Sequence, residues 1–289
     1  MNTKNNNPII AKDDKSRWEM APFHWFMEET KRLDQLLSLS MRGISMLQSA
    51  PKMVEALAAV DRYKGKKDNP NHLTEMKNAQ EMADLANNEV RENFPLLHAN
   101  NLVAIWSLLE SVIRTFVAAW IANNPKAMTM ITISKIKVRL GEYHYIPDAD
   151  KPLYIAELLE EEIRANLRDG VNRFEAMLEP FGLNREVPEE IKKGVFELGQ
   201  IRNVLVHRGG YADRTLIDAC RWLPFKVGEK IKISRDIYSR CFGAAHGYIL
   251  ELIIRIAATF GCDLSRFRTR HKHTHHKKTK VISSRKHSS

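Results

Sequence analysis

Residues 98 to 125, HANNLVAIWSLLESVIRTFVAAWIANNP, constrain the fold more than any other stretch. Leu102, Ile105, Trp106, Leu109, Val112, Ile113, Phe116 and Trp120 recur at threes and fours, which on a helix makes one broad apolar stripe, and Asn123-Asn124-Pro125 ends it. A helix this apolar has to be wrapped by other helices, so it is expected to be the central core helix of an all-α protein. The rest of the chain supplies them. From Trp25 to about Tyr63, Leu33, Leu36, Leu37, Met41 and Ile44 keep helical spacing, and Pro51 interrupts or restarts the helix to give an N-terminal pair. A further helix is expected over about 73 to 93, and another over Leu153 to Leu178, closed by Pro180 and Gly182. The next opens at Pro188, with Glu189 and Glu190 suited to its positive end, and stops at Gly209-Gly210. A last helix covers 234 to 260. Residues 126 to 152 read as an irregular connection, and LPFKVGEKIKIS reads as a small β-hairpin turning near Gly228-Glu229.

The net charge of +10 points towards nucleic acid only until it is located. Nine Lys or Arg residues and no acid lie between Arg266 and Ser289, which leaves the other 265 residues at about +1. The tail SRFRTRHKHTHHKKTKVISSRKHSS has too few apolar residues to offset the entropy of ordering, so it is expected to be disordered and to lend nonspecific, salt-sensitive affinity for RNA. Arg208, Arg266, Arg268, Arg270, Lys272, Lys277 and Lys278 are the cations concerned. The histidines of the tail form no expected metal site, because a flexible chain must order itself around the ion. Cys220, Cys241 and Cys262 are far apart and suit a reducing compartment, with neither a disulfide framework nor a zinc site. No secretion core or membrane span is read, so the expectation is a cytoplasmic soluble protein without metal or cofactor. Four regions follow: a flexible N-terminus over 1–20, an N-terminal helical region over 21–95, a helical domain over 96–261, and a tail over 262–289.

The run RNVLVHRGG at 202 to 210 is more polar than a helix end requires. On an ideal helix Ile191, Gly194, Leu198, Ile201 and Leu205 share one face and meet the core. Phe196, Gln200, Asn203 and His207 fall nearly opposite, with Val204 and Val206 at the margins and Arg202 between the faces. Phe196 and the valines suggest that something covers this second face, and a second copy of the helix is the economical candidate. Imidazole moves protons near neutral pH, guanidinium forks onto phosphate and a carboxamide orients either, which together make a phosphoryl-transfer set without a metal. Structural readings stand beside these. His207 and Arg208 could serve the helix dipole, Arg202 could pair with Glu110 or Glu197, and Asn203 could be an exposed polar residue. Arg114 reads as an ion-pair partner of Glu110 one turn earlier.

The Arg-Asn-three residues-His run, followed by Gly-Gly and framed by a core helix before and a last helix after, resembles the HEPN (higher eukaryotes and prokaryotes nucleotide-binding) family. IRNVLVHRGGYADRTLIDACRWLPFKVGEKIKIS most resembles its RiboL-PSP-type members. The likeness covers roughly 96 to 260. It implies an antiparallel helical bundle that dimerises around the motif helix, with Arg202, Asn203 and His207 as the site of a metal-independent endoribonuclease. Glu110 is a loose counterpart of an acidic residue that some members use. The resemblance further implies RNA as substrate and a role in toxin–antitoxin or antiphage defence, with an antitoxin or defence partner. The alternative is a noncatalytic module binding a partner protein or nucleotide through the same face. A metal-dependent nucleotidyl-transferring enzyme is disfavoured, since no Gly-Ser followed by spaced aspartates is present.

Overall fold

The computed structural model describes residues 17–67, 69–165 and 169–266. Among the described residues there are eleven α-helices: α1 (Ala21–Leu47), α2 (Ala50–Tyr63), α3 (His72–Arg91), α4 (Pro95–Asn123), α5 (Ile131–Ser134), α6 (Leu140–Tyr145), α7 (Lys151–Ala165), α8 (Val171–Leu178), α9 (Glu189–His207), α10 (Arg214–Ala219) and α11 (Arg235–Thr259). Short 3-10 turns cover Pro125–Thr129 and Glu179–Phe181. Among the described residues no strand forms beyond a single antiparallel bridge, so the fold is all-α. The expected irregular connection at 126–152 is a set of short helical turns.

Two compact units make up the chain, one from residues up to Met27, Ser107–Gly199 and Gly243 onward, the other from Glu28–Trp106 and Gln200–Phe242. Helices α1, α4, α9 and α11 each run from one unit into the other. The boundary at 95/96 expected from sequence does not coincide with this division, because helical patterning marks helices and not the compact bodies that they traverse.

In the first unit the core gathers on the second half of α4, where Leu109, Val112, Ile113, Phe116 and Val117 are fully buried. Phe23 lies 5.2 Å from Phe116, and Phe174 of α8 stacks 5.9 Å from Tyr248 of α11. Trp18 packs edge-on against Trp120 and Phe260, at 5.9 and 5.8 Å. Residues 17–20, placed by sequence within a flexible end, are thus partly built into the core, while 1–16 lie outside the described residues. A carboxylate serves as a polar knot here: Glu175 accepts from Tyr248 Oη at 3.0 Å, from Arg255 Nη1 at 2.9 Å and from the Arg185 amide at 2.7 Å. Burial, with that carboxylate beside it, pushes the Tyr248 phenol well above its ordinary range.

The single helix expected over Leu153 to Leu178 is two, α7 and α8. Gly170, just before α8, holds φ +57° and ψ −133°, a region open to glycine alone. A Cβ there would sit 3.1 Å from Cα of Phe196, so the same glycine permits the close approach of α9.

The second unit buries the first half of α4 (His98, Leu102, Ile105, Trp106) with Ile201, Val204, Leu216, Ile233, Ile237 and Tyr238. Helix α2 packs on α3, with no buried residue of its own. His98 is 2% exposed, stacks 4.9 Å from the Tyr238 ring and places Nδ1 3.3 Å from the Ile233 carbonyl. Burial holds its pKa below the ordinary imidazole value, Arg235 acts in the same direction, and the carbonyl opposes both. Neighbouring Tyr238 is raised to about 12, by burial and then by Asp34. In the window between the folded pKa of His98 and roughly 6.5, the unfolded chain binds the extra proton, so this histidine makes stability fall as pH falls. Thermal denaturation across that range should show a shallower acid slope in His98→Gln than in the native chain; equal slopes would remove His98 as the cause.

Helices α4 and α11 are long and apolar enough to cross a membrane by length and composition, and more than half of the apolar window of each is buried within the protein.

Candidate active site at the end of the motif helix

Helix α9 begins with Glu189 and Glu190 in its first turn and ends at His207. Its stop is made by two left-handed glycines, Gly209 at φ +61° and Gly210 at φ +81°. The Arg208 and Gly210 amides both donate to the Val204 carbonyl, at 3.0 and 3.1 Å, which turns the chain sharply beneath the last helical turn. Gly194, Leu198 and Ile201 are buried as their face predicts, whereas Ile191 and Leu205 are half-buried. Val204, expected at a margin, is only 3% exposed, and Glu197, paired within the fold, is fully buried. Phe196 and Gln200 are half-buried; Asn203 and His207 are exposed. Because Gly170 abuts Phe196, part of that residue's cover comes from its own chain, and Val206 is the one lateral apolar side chain left 47% exposed.

Arg202, Asn203 and His207 come together. Arg202 Nη1 lies 3.2 Å from His207 Nε2 and 3.4 Å from Asn203 Oδ1. Spacing explains it: on a helix, residues five apart diverge by about 140°, so only a side chain as long as arginine, leaving the intermediate face, can curl round to the imidazole. A guanidinium has only protons to give, so in this contact Arg202 donates and Nε2 accepts. Arg202 Nε is buried without a hydrogen-bond partner, whereas Nη1 is the atom that meets the imidazole and the carboxamide.

Glu110 belongs to the other unit, where Arg173 Nη1 lies 2.9 Å from it. Arg173 also binds Glu160, which in turn takes Arg114 Nε at 2.7 Å. Arg114 therefore hydrogen-bonds across to α7, while Glu110, one turn back, also acts on it through charge. Arg208 pairs with Asp213 at 3.4 Å, and the other oxygen of Asp213 caps α10 by accepting from the Leu216 amide at 2.9 Å. Arg266 is exposed in the first unit; Arg268, Arg270, Lys272, Lys277 and Lys278 lie outside the described residues, as does the expected disorder of 267–289.

The expected hairpin within LPFKVGEKIKIS is corrected. A turn does form, with Gly228 at φ +82° and the Glu229 amide donating to Lys226 at 3.0 Å. The segment beyond it, however, pairs with the residues that leave α9: Tyr211 bridges Lys230, the Ala212 amide donates to Glu229 and the Ile231 amide to Gly210, both at 2.8 Å. Sequence reasoning therefore missed Tyr211 and Lys230 as neighbours of the site. Alternation of exposed Lys230 and Lys232 with buried Ile231 and Ile233 was the available signal, but it marks a pairing face without naming the partner.

No family model, curated protein or solved structure matches the chain.

Proposed function

We propose that the protein is a HEPN-like, metal-independent endoribonuclease acting at Arg202, Asn203 and His207. What supports the reading is the 3.2 Å approach of guanidinium to imidazole at a solvent-facing helix end, with a carboxamide beside them. In this reaction the RNA's own 2′-oxygen attacks the adjacent phosphorus, and the bond from phosphorus to the 5′-oxygen breaks. His207 takes the proton from the 2′-hydroxyl or delivers one to the departing oxygen. Arg202 swings its guanidinium from the imidazole to the phosphate, where negative charge grows, and Asn203 orients either. A homodimer across α9 supplies two imidazoles to one cleft, so that one copy serves as base while the other serves as acid. The accompanying biological role is that of a toxin or antiphage-defence effector held in check by an antitoxin or partner.

The chemistry requires a free 2′-hydroxyl. In chelator, a single-stranded RNA should be cut to 2′,3′-cyclic phosphate and 5′-hydroxyl ends, and a single 2′-deoxy substitution should abolish cutting at that linkage. Cleavage of the deoxy linkage would overturn the mechanism.

One observation favours a second reading. Arg202 occupies His207 Nε2 directly, which also suits a noncatalytic helical module whose polar pair is satisfied internally. Such a module would bind its partner through α9 and leave RNA intact.

A further inference from the structure

We infer that Tyr211 and Lys230 form a platform that receives an unpaired nucleotide of single-stranded RNA next to His207, an inference that rests on the ribonuclease reading for its ligand. The bridge fixes their relation. With the Ala212 amide on Glu229 and the Ile231 amide on Gly210, Tyr211 and Lys230 are a non-hydrogen-bonded antiparallel pair. In such pairs side chains stand on the same face with Cβ atoms about 4.5 to 5.5 Å apart. That face is the outer one, since Tyr211 is 53% exposed and Lys230 exposed, while Ala212 and Ile231 point inward.

A phenol ring held out in water by an ordered backbone is poised for stacking. The Tyr211 amide donates to Arg208 at 3.1 Å, and a Cβ placed on Gly209 would lie 3.9 Å from Tyr211 Cδ2, so the ring sits against the glycines that end the motif helix. Only three residues separate it from His207. Residues 200–242 hold nine Lys or Arg against four Asp or Glu, whereas 28–106, the rest of the same unit, hold ten against eleven. The near-neutral average outside the tail thus conceals a basic excess in the segment that carries the candidate site. An aromatic face paired with a cation suits one nucleotide with its base on the ring and its phosphate on the ammonium, and only an unpaired base presents a free face.

The test is binding, read apart from cleavage. In a His207→Ala background, a short mixed-sequence RNA carrying fluorescein is titrated by anisotropy, as a single strand and as a duplex. Tyr211→Phe should bind the single strand as the parent does, and Tyr211→Leu should bind about 5- to 150-fold more weakly, the range for loss of one stacked base. Lys230→Gln should weaken binding with a smaller salt dependence, and the duplex should not distinguish Phe from Leu. Equal single-strand affinity of the Phe and Leu variants overturns the platform, as does a parent that binds no RNA. Native protein that fails to cut RNA defeats the ribonuclease reading, while a ring-dependent difference between Phe and Leu still upholds the platform. Unchanged thermal unfolding of each variant keeps loss of fold separate.

Discussion

His207→Ala should lower RNA cleavage in chelator by about 10²- to 10⁴-fold, the usual effect of removing a general acid–base group. The imidazole is exposed at the last turn of α9 and fills no core position, so the same substitution should leave thermal stability within about 0.5 kcal/mol. That pairing of results separates chemistry from folding. If both imidazoles of a dimer serve one cleft, mixing native with His207→Ala subunits should lower the rate by more than dilution does, since a mixed dimer lacks either the base or the acid. Cleavage at the native rate by His207→Ala would remove the residue from the mechanism and leave the binding-module reading standing.

Arg173→Ala should cost about 3–5 kcal/mol in chemical denaturation. Its guanidinium bridges Glu110 and Glu160, with side-chain exposures of 12%, 12% and 5% for the three. Deleting the arginine takes one cation from two shielded carboxylates, while Arg114 stays on Glu160. Breaking such a set exceeds the worth of the set itself, because an unpaired shielded charge is penalised for its lost hydration. Replacing Glu110 by Gln in the same chain should therefore recover part of the loss. A decrease below about 1 kcal/mol in Arg173→Ala would mean that water reaches these carboxylates.

What the sequence disclosed was local. The stripe on α4 was legible because its period and its Asn-Asn-Pro stop are contained within one stretch, and the Arg202, Asn203 and His207 cluster because six residues of helix suffice to define it. Relations across distance were not. Helical periodicity runs on through residues 153 to 178, so the break at Gly170 is visible only once α9 lies against it. Lys230 finds its partner in Tyr211, nineteen positions away, whereas the local pattern favoured its immediate neighbours. Arg114 likewise donates to Glu160 on another helix, where its spacing pointed to the acid one turn before it. For Lys230 and Arg114 the partner nearer in sequence was expected, and packing supplied a more distant one.

The chain passes between its two units four times, inside α1, α4, α9 and α11. Neither unit is consequently a portable module: no one peptide bond can be cut to release it whole, and a fragment ending at any crossing would carry a severed helix. The motif helix is one of the four, so the end that carries Arg202, Asn203 and His207 cannot be transplanted without the half of the molecule in which that helix starts.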